Sequence, residues 1–155
     1  MSMDGDVVTV ERVIPAPPKA IFDLLADATA HARIDGSGSV QKVRGQTPER
    51  LSLGSTFGMS MRIGVPYSMS NEVTEFEEDR RIAWQARAPG VAGRLFAGRT
   101  WRYELEPVDG GTLVRESWDV STDHQGAFLK RGKLPERTRR NMEATLRRIE
   151  ELLAS

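Results

Sequence analysis

Apolar and polar residues alternate with a period of two through the middle of the chain and with a helical period near its ends. Val7–Ile14 is short and β-branched and stops at Pro15-Ala-Pro-Pro18. Proline has no N–H to give a ladder, so the pattern predicts a first strand closed by a turn. Pro18 suits the first turn of a helix, and Ile21, Phe22 and Leu25 recur at i, i+1 and i+4, which predicts a short helix to about Ala26. A second short helical piece, Ala28–Ile34, ends at Asp35-Gly-Ser-Gly-Ser39, whose glycines and small polar residues favour a turn.

Beyond that turn, alternation dominates up to about residue 121. In Thr56–Gly64, Phe57, Met59, Met61 and Ile63 fall on one face, while Gly58, Ser60 and Arg62 fall on the other. This is the signature of a half-buried strand. After the turn Gly64-Val-Pro66 the inward set continues as Tyr67, Met69, Asn71 and Val73, then as Ile82, Trp84 and Ala86 beyond the turn Glu77–Arg80. Phe76 breaks the parity set by Val73, which predicts a bulge near Thr74–Phe76, because one extra residue reverses the facing of all that follow. Trp101, Tyr103 and Leu105 alternate with Arg102, Glu104 and Glu106; across Asp109-Gly-Gly111, Val114, Glu116, Trp118 and Val120 alternate in turn. Those two strands predict a hairpin.

The stretch 88–98 combines three glycines and a proline with Val91, Leu95 and Phe96, and this composition predicts a loop whose apolar residues either plug the end of the sheet or cover a pocket mouth as a lid. After a polar connection at 124–133, Met142, Leu146, Ile149 and Leu153 recur at i, i+4, i+7 and i+11, led in by Pro135, and predict a helix over about 135–153. Traced backward, the same face meets Arg139, Thr138 and Pro135, so the apolar stripe turns polar.

The order strand, two short helices, a run of antiparallel strands and a long last helix resembles the helix-grip fold of the START/birch-allergen-like (SRPBCC) superfamily. The resemblance rests on 10–22, a strand running through a proline turn into an amphipathic helix; on 73–84, similar to the mid-sheet hairpin; and on 101–112, similar to the hairpin before the last strand. The nearest likeness is to the polyketide cyclase/dehydratase-like group. It implies an α+β domain over 1–155 in which a curved antiparallel sheet of six or seven strands wraps a long C-terminal helix and leaves a cavity between them. Many functions share this fold, including carriers, cyclase-type enzymes and protein-interaction modules.

Composition narrows the chemistry. Lys plus Arg and Asp plus Glu are 22 each, so no overall charge draws the chain to nucleic acid or an anionic membrane. With no Cys and only His31 and His124 as imidazoles, neither in a spaced ligand motif, no metal site or other cofactor is expected. Both histidines are expected outside the inward set. The acidic start Met1–Asp6 does not resemble a signal peptide and no apolar run reaches about 18 residues, which together with the missing cysteines predicts a soluble cytoplasmic protein, compatible with a homodimer. Between Lys130 and Arg140 six cations face one anion, the only marked charge cluster in the sequence.

Alternation puts Met59, Met61, Tyr67, Met69, Asn71, Trp84, Tyr103, Glu116 and Trp118 on the concave wall, with Met142 opposite on the helix and Phe96 and Arg139 at the entrance. Methionine is flexible and polarizable and adapts to irregular ligands, so these twelve positions are the expected contacts of a small hydrophobic molecule, lipid-like or polycyclic. A polar side chain pointing into an apolar interior needs a partner. Glu116 is therefore expected either to pair with Arg139 or Arg12, or to orient the ligand together with Asn71. If the protein is instead a cyclase/dehydratase-type enzyme, Glu116, Asn71 and Tyr103 are the candidates to move protons. A protein-interaction module is the third alternative.

Overall fold

The computed structural model describes residues 5–44 and 48–154, so the first four residues of the acidic start lie outside the description. Strand β1 (Val7–Ile14) leads through the proline turn into helix α1 (Pro18–Leu25), a 3-10 turn at Ala28–Ala30 and the four-residue helix α2 (His31–Ile34). Six further strands follow: β2 (Val40–Arg44), β3 (Thr56–Ile63), β4 (Val65–Glu77), β5 (Arg81–Arg87), β6 (Ala97–Val108) and β7 (Gly111–Asp119). A 3-10 turn at Gly90–Arg94 separates β5 from β6, and the short helix α3 (Gly126–Leu129) precedes the long helix α4 (Leu134–Ala154). The connection at 124–133 thus carries one helical turn that its polar composition hides.

The strands form one antiparallel sheet in the order β1-β7-β6-β5-β4-β3-β2. Sequence neighbours pair by hairpins, as short connections favour, and β1 joins β7 from Val7↔Asp119 to Ile14↔Thr112. The expected slip is present in β4, where Val73 opposes Trp84 but Glu75 opposes Ala83, so Thr74 is the extra residue. After it, Phe76 turns inward to meet Phe22 of α1 edge-on at 5.3 Å. The turn between β3 and β4 is tighter than expected: Ile63 already opposes Val65, and Gly64 alone, at φ 72, reverses the chain. The side chain of Ile63 lies outside the description.

The concave face and the two N-terminal helices bury one continuous core, which includes Val10, Ile21, Phe22, Leu25, Phe57, Val73, Ile82, Leu105, Val114 and Trp118. Helix α4 closes this face with Met142, Leu146 and Ile149. Its approach to the turn after α2 is close: a Cβ on Gly36 would stand 2.6 Å from Asn141 O and Thr145 N, so only glycine fits. The Gly36 amide uses that proximity to donate to Thr145 Oγ1 at 2.8 Å. The opposite, convex face is polar. There Arg102 holds Glu75 with Nε at 3.0 Å and Nη2 at 2.7 Å and reaches Asp119 at 3.5 Å, an ion-pair ladder across the sheet.

Candidate functional site

The seam between α4 and the concave face is packed at one end and open at the other. Where Leu146 and Ile149 fill the seam, core continues. Toward the start of α4 the inward face becomes Thr145, Asn141 and Thr138, which are too short or too polar to reach the sheet and complete an apolar contact, before Leu134 restores one at the end of the helix. The result is a cavity of about 520 Å³, lined on the sheet side by Met59, Met61, Met69, Trp84, Ala86, Trp101 and Trp118 and on the helix side by Leu134, Thr138, Asn141, Met142 and Thr145. That size falls in the range of roughly 300–1,000 Å³ typical of small-molecule sites.

Of the expected contacts, all except Phe96 and Arg139 line this cavity. Phe96 misses it because the pairing of β5 with β6 slips: Ala86 opposes Arg99, but Arg87 opposes Ala97, and Ala97 and Gly98 have φ of 66 and 118. The slip carries the preceding loop to the convex side, where Gly90, Gly93 and Arg94 border a groove with the outward residues Ser70, Glu72, Gln85 and Arg87. Phe96 itself is 56% exposed. The loop 88–98 is therefore no lid on this cavity. Arg139 misses it because it lies about 100° around the helix from Thr138. Its Nη1 instead donates to Thr9 O of β1 at 3.3 Å, and its Nε lies 3.7 Å from Glu136.

The rim consists of Asp35, Ser37 and Ser39 after α2, Arg62 and Gly64 at the β3–β4 turn, Tyr67, Arg99 and Arg137. Tyr67 is 36% exposed, and burial of its other portion raises its phenol pKa. Arg99 leans on Asp123, with Nε donating to Oδ2 at 3.0 Å. With Arg99 balanced by Asp123, Arg62 and Arg137 stand against the carboxylate of Asp35 and leave this opening with an excess of positive charge.

The inner wall carries three titratable side chains, and burial acts on each toward its neutral form. Glu116 is 3% exposed. Neither expected arginine meets it, because Arg12 pairs with Glu150 at 3.0 Å and Arg139 with β1. Loss of solvent pushes its carboxyl up to about 8; hydrogen bonding from the Tyr103 hydroxyl opposes this, and the charge of Asp35 adds to it. Its Oε1 is buried with no hydrogen-bond partner. Tyr103 stands directly opposite on β6, and burial, followed by the Glu116 charge, raises its phenol well above the ordinary value. Asn71 spends an N–H on Phe57 O at 3.4 Å, a tie within the sheet.

His31 is the third titratable group, and its position corrects the expectation of a histidine outside the inward set. It is buried, lines the cavity, and lies flat on Trp84 with ring centroids 4.6 Å apart. Its Nε2 lies 2.9 Å from Leu25 O; a carbonyl only accepts, so Nε2 carries the proton and Nδ1 the lone pair. Burial lowers its pKa, partly offset by the Leu25 bond, so the imidazole is neutral. A helix of four residues has no period from which this inward position is legible.

Known proteins place this architecture. Protein Rv0088 of Mycobacterium tuberculosis is 30% identical over 144 residues, which cover 83% of this chain; the match spans only 58% of that protein's length. Protein NE0264 of Nitrosomonas europaea superposes with a TM-score of 0.73 over 98% of this chain and 97% of its own, at 18% identity. Ginseng major latex-like protein 151 from Panax ginseng superposes with a TM-score of 0.68 over 94% and 95%, at 14% identity. At those identities the solved structures show the fold alone. Residues 6–154 match the family model described as polyketide cyclase / dehydrase and lipid transport, and the chain belongs to that family.

Proposed function

We propose that the protein binds a small hydrophobic molecule, lipid-like or polyketide-like, in the cavity between the sheet and α4. One observation carries this reading: the cavity of about 520 Å³ is walled by four methionines and three tryptophans yet opens at a rim of Arg62, Arg99 and Arg137. Filling such a space from the sequence would take one or two larger side chains at Thr138, Asn141 or Thr145. An apolar body inside removes its own surface and that of the wall from water. An anionic head at the rim meets the arginines. Native mass spectrometry of freshly purified protein, followed by extraction of what is bound, tests the reading. A Met142→Trp variant, which fills the cavity, is expected to release the molecule. Undiminished retention in that variant places the ligand elsewhere and refutes the reading.

A second reading, a cyclase/dehydratase-type enzyme, is favoured by the buried carboxyl of Glu116 beside the Tyr103 hydroxyl, an acid that stays protonated near neutral pH and is able to give its proton to a leaving hydroxyl. Incubation of the extracted molecule with wild type and with Glu116→Gln separates the two readings. A mass change equal to loss of water, seen with wild type only, marks an enzyme; an unchanged molecule marks a carrier.

A further inference from the structure

Among the described residues two buried side-chain oxygens, Asp79 Oδ1 and Glu116 Oε1, have no hydrogen-bond partner, and the second is in the cavity wall. The strand neighbours of Glu116 are Tyr103 on one side and Val10 on the other. The titratable and charged groups that share the cavity are Tyr103 and Arg99 of β6, Tyr67 of β4, Arg62 of β3, His31 of α2, Asp35 just after it and Arg137 of α4. The arginines are at the rim, and the inner wall around Glu116 presents methionine, tryptophan, tyrosine and threonine. A carboxyl in this setting is a neutral acid with one O–H to donate, and the apolar wall around it, with no cation beside Glu116, makes burial of an anionic group there costly.

We propose that Glu116 determines specificity: the cavity selects a ligand that carries an uncharged oxygen acceptor, a ketone or ester carbonyl, within its apolar body, and the Glu116 O–H donates to that oxygen at the inner wall. This rests on the binding reading above and adds to it the chemistry of the ligand's interior. It also sets orientation, because an anionic head is refused inside and received at the arginine rim.

Titration of the whole chain with dodecanoate and with its mid-chain oxo analogues, at about pH 6 and about pH 10, tests this. Burial holds Tyr103 protonated and lowers the His31 pKa, and the Glu116→Leu variant reports any change that does not come from Glu116, so ionisation of Glu116 is the change sought inside the cavity. At the lower pH the best oxo analogue is expected to bind on the order of tenfold tighter than dodecanoate. At the higher pH that advantage disappears, since a carboxylate has no proton to donate. Glu116→Leu is expected to bind dodecanoate but to lose the oxo preference at both pH values; Glu116→Gln, whose amide always donates, keeps a preference at both. Equal affinity for both ligands at the lower pH, or an oxo preference that survives in Glu116→Leu, overturns the proposal while leaving the binding reading intact. Failure of every probe to bind wild type overturns both.

Discussion

Replacing Glu116 with Gln is expected to stabilise the protein, and increasingly so as pH rises. In the unfolded chain the carboxyl ionises around its ordinary value of 4.5, whereas in the fold it holds its proton to about 8. Between those values the folded state binds one more proton than the unfolded state, so this group makes stability fall with rising pH. Below 4.5 both states are protonated and the group contributes nothing to the slope; above about 8 the penalty is complete. At about 1.4 kcal/mol per pH unit, the penalty is about 3 kcal/mol at pH 7 and on the order of 4–5 kcal/mol above pH 8. Gln has the same shape and no charge to desolvate, so it removes the slope. For a chain of this size roughly 2–4 °C accompanies each kcal/mol, so the Tm difference between variant and wild type should widen by on the order of 10 °C from about pH 5 to about pH 9. Thermal unfolding of both proteins across that range measures it, and other titrating groups cancel in the difference. A difference that stays flat, or a variant that loses ground as pH rises, would show that some cation holds Glu116 ionised and would refute the neutral inner wall.

Three further outcomes are expected. Arg102→Met removes the centre of the Glu75–Arg102–Asp119 ladder and should cost about 1–2 kcal/mol at neutral pH, discounted for partial exposure. Because the Arg102 hydrogen bond lowers the Glu75 pKa, the loss should shrink as wild type is acidified through the folded value, below 4.5, in urea unfolding at several pH values. Gly36→Ala places a methyl 2.6 Å from the backbone of α4 and should destabilise by roughly 1–3 kcal/mol, with α4 displaced in a crystal structure of the variant; unchanged stability would mean the two segments are not in contact. Phe96→Ser should leave cavity affinity within about twofold of wild type, because its side chain lies outside the cavity; a larger loss in the same titration would restore the loop as a lid.

Side-chain alternation determined most of the fold and much of the candidate site from sequence. Because a strand has a period of two, Phe57 through Met61, Tyr67 through Val73 and Trp101 through Leu105 declare their inward faces locally, and the parity break at Phe76 even marks the bulge at Thr74. The stripe Met142, Leu146 and Ile149 does the same for α4, and its polar beginning signals the end of the packed seam. What sequence does not encode locally is partnership across long separations. Whether Glu116 meets Arg12, Arg139 or no cation depends on where β1 and α4 lie around it, and the tertiary structure sends both arginines elsewhere. The side of the sheet on which Phe96 emerges depends on two positive-φ residues and a slipped register. His31 enters the wall only because α1 presents the Leu25 carbonyl and β5 presents Trp84 to a helix too short to show a period. Periodicity is a property of neighbours along the chain, so it fixes faces; burial, charge partners and the neutral state of the inner wall are properties of neighbours in space, and only the assembled fold decides them.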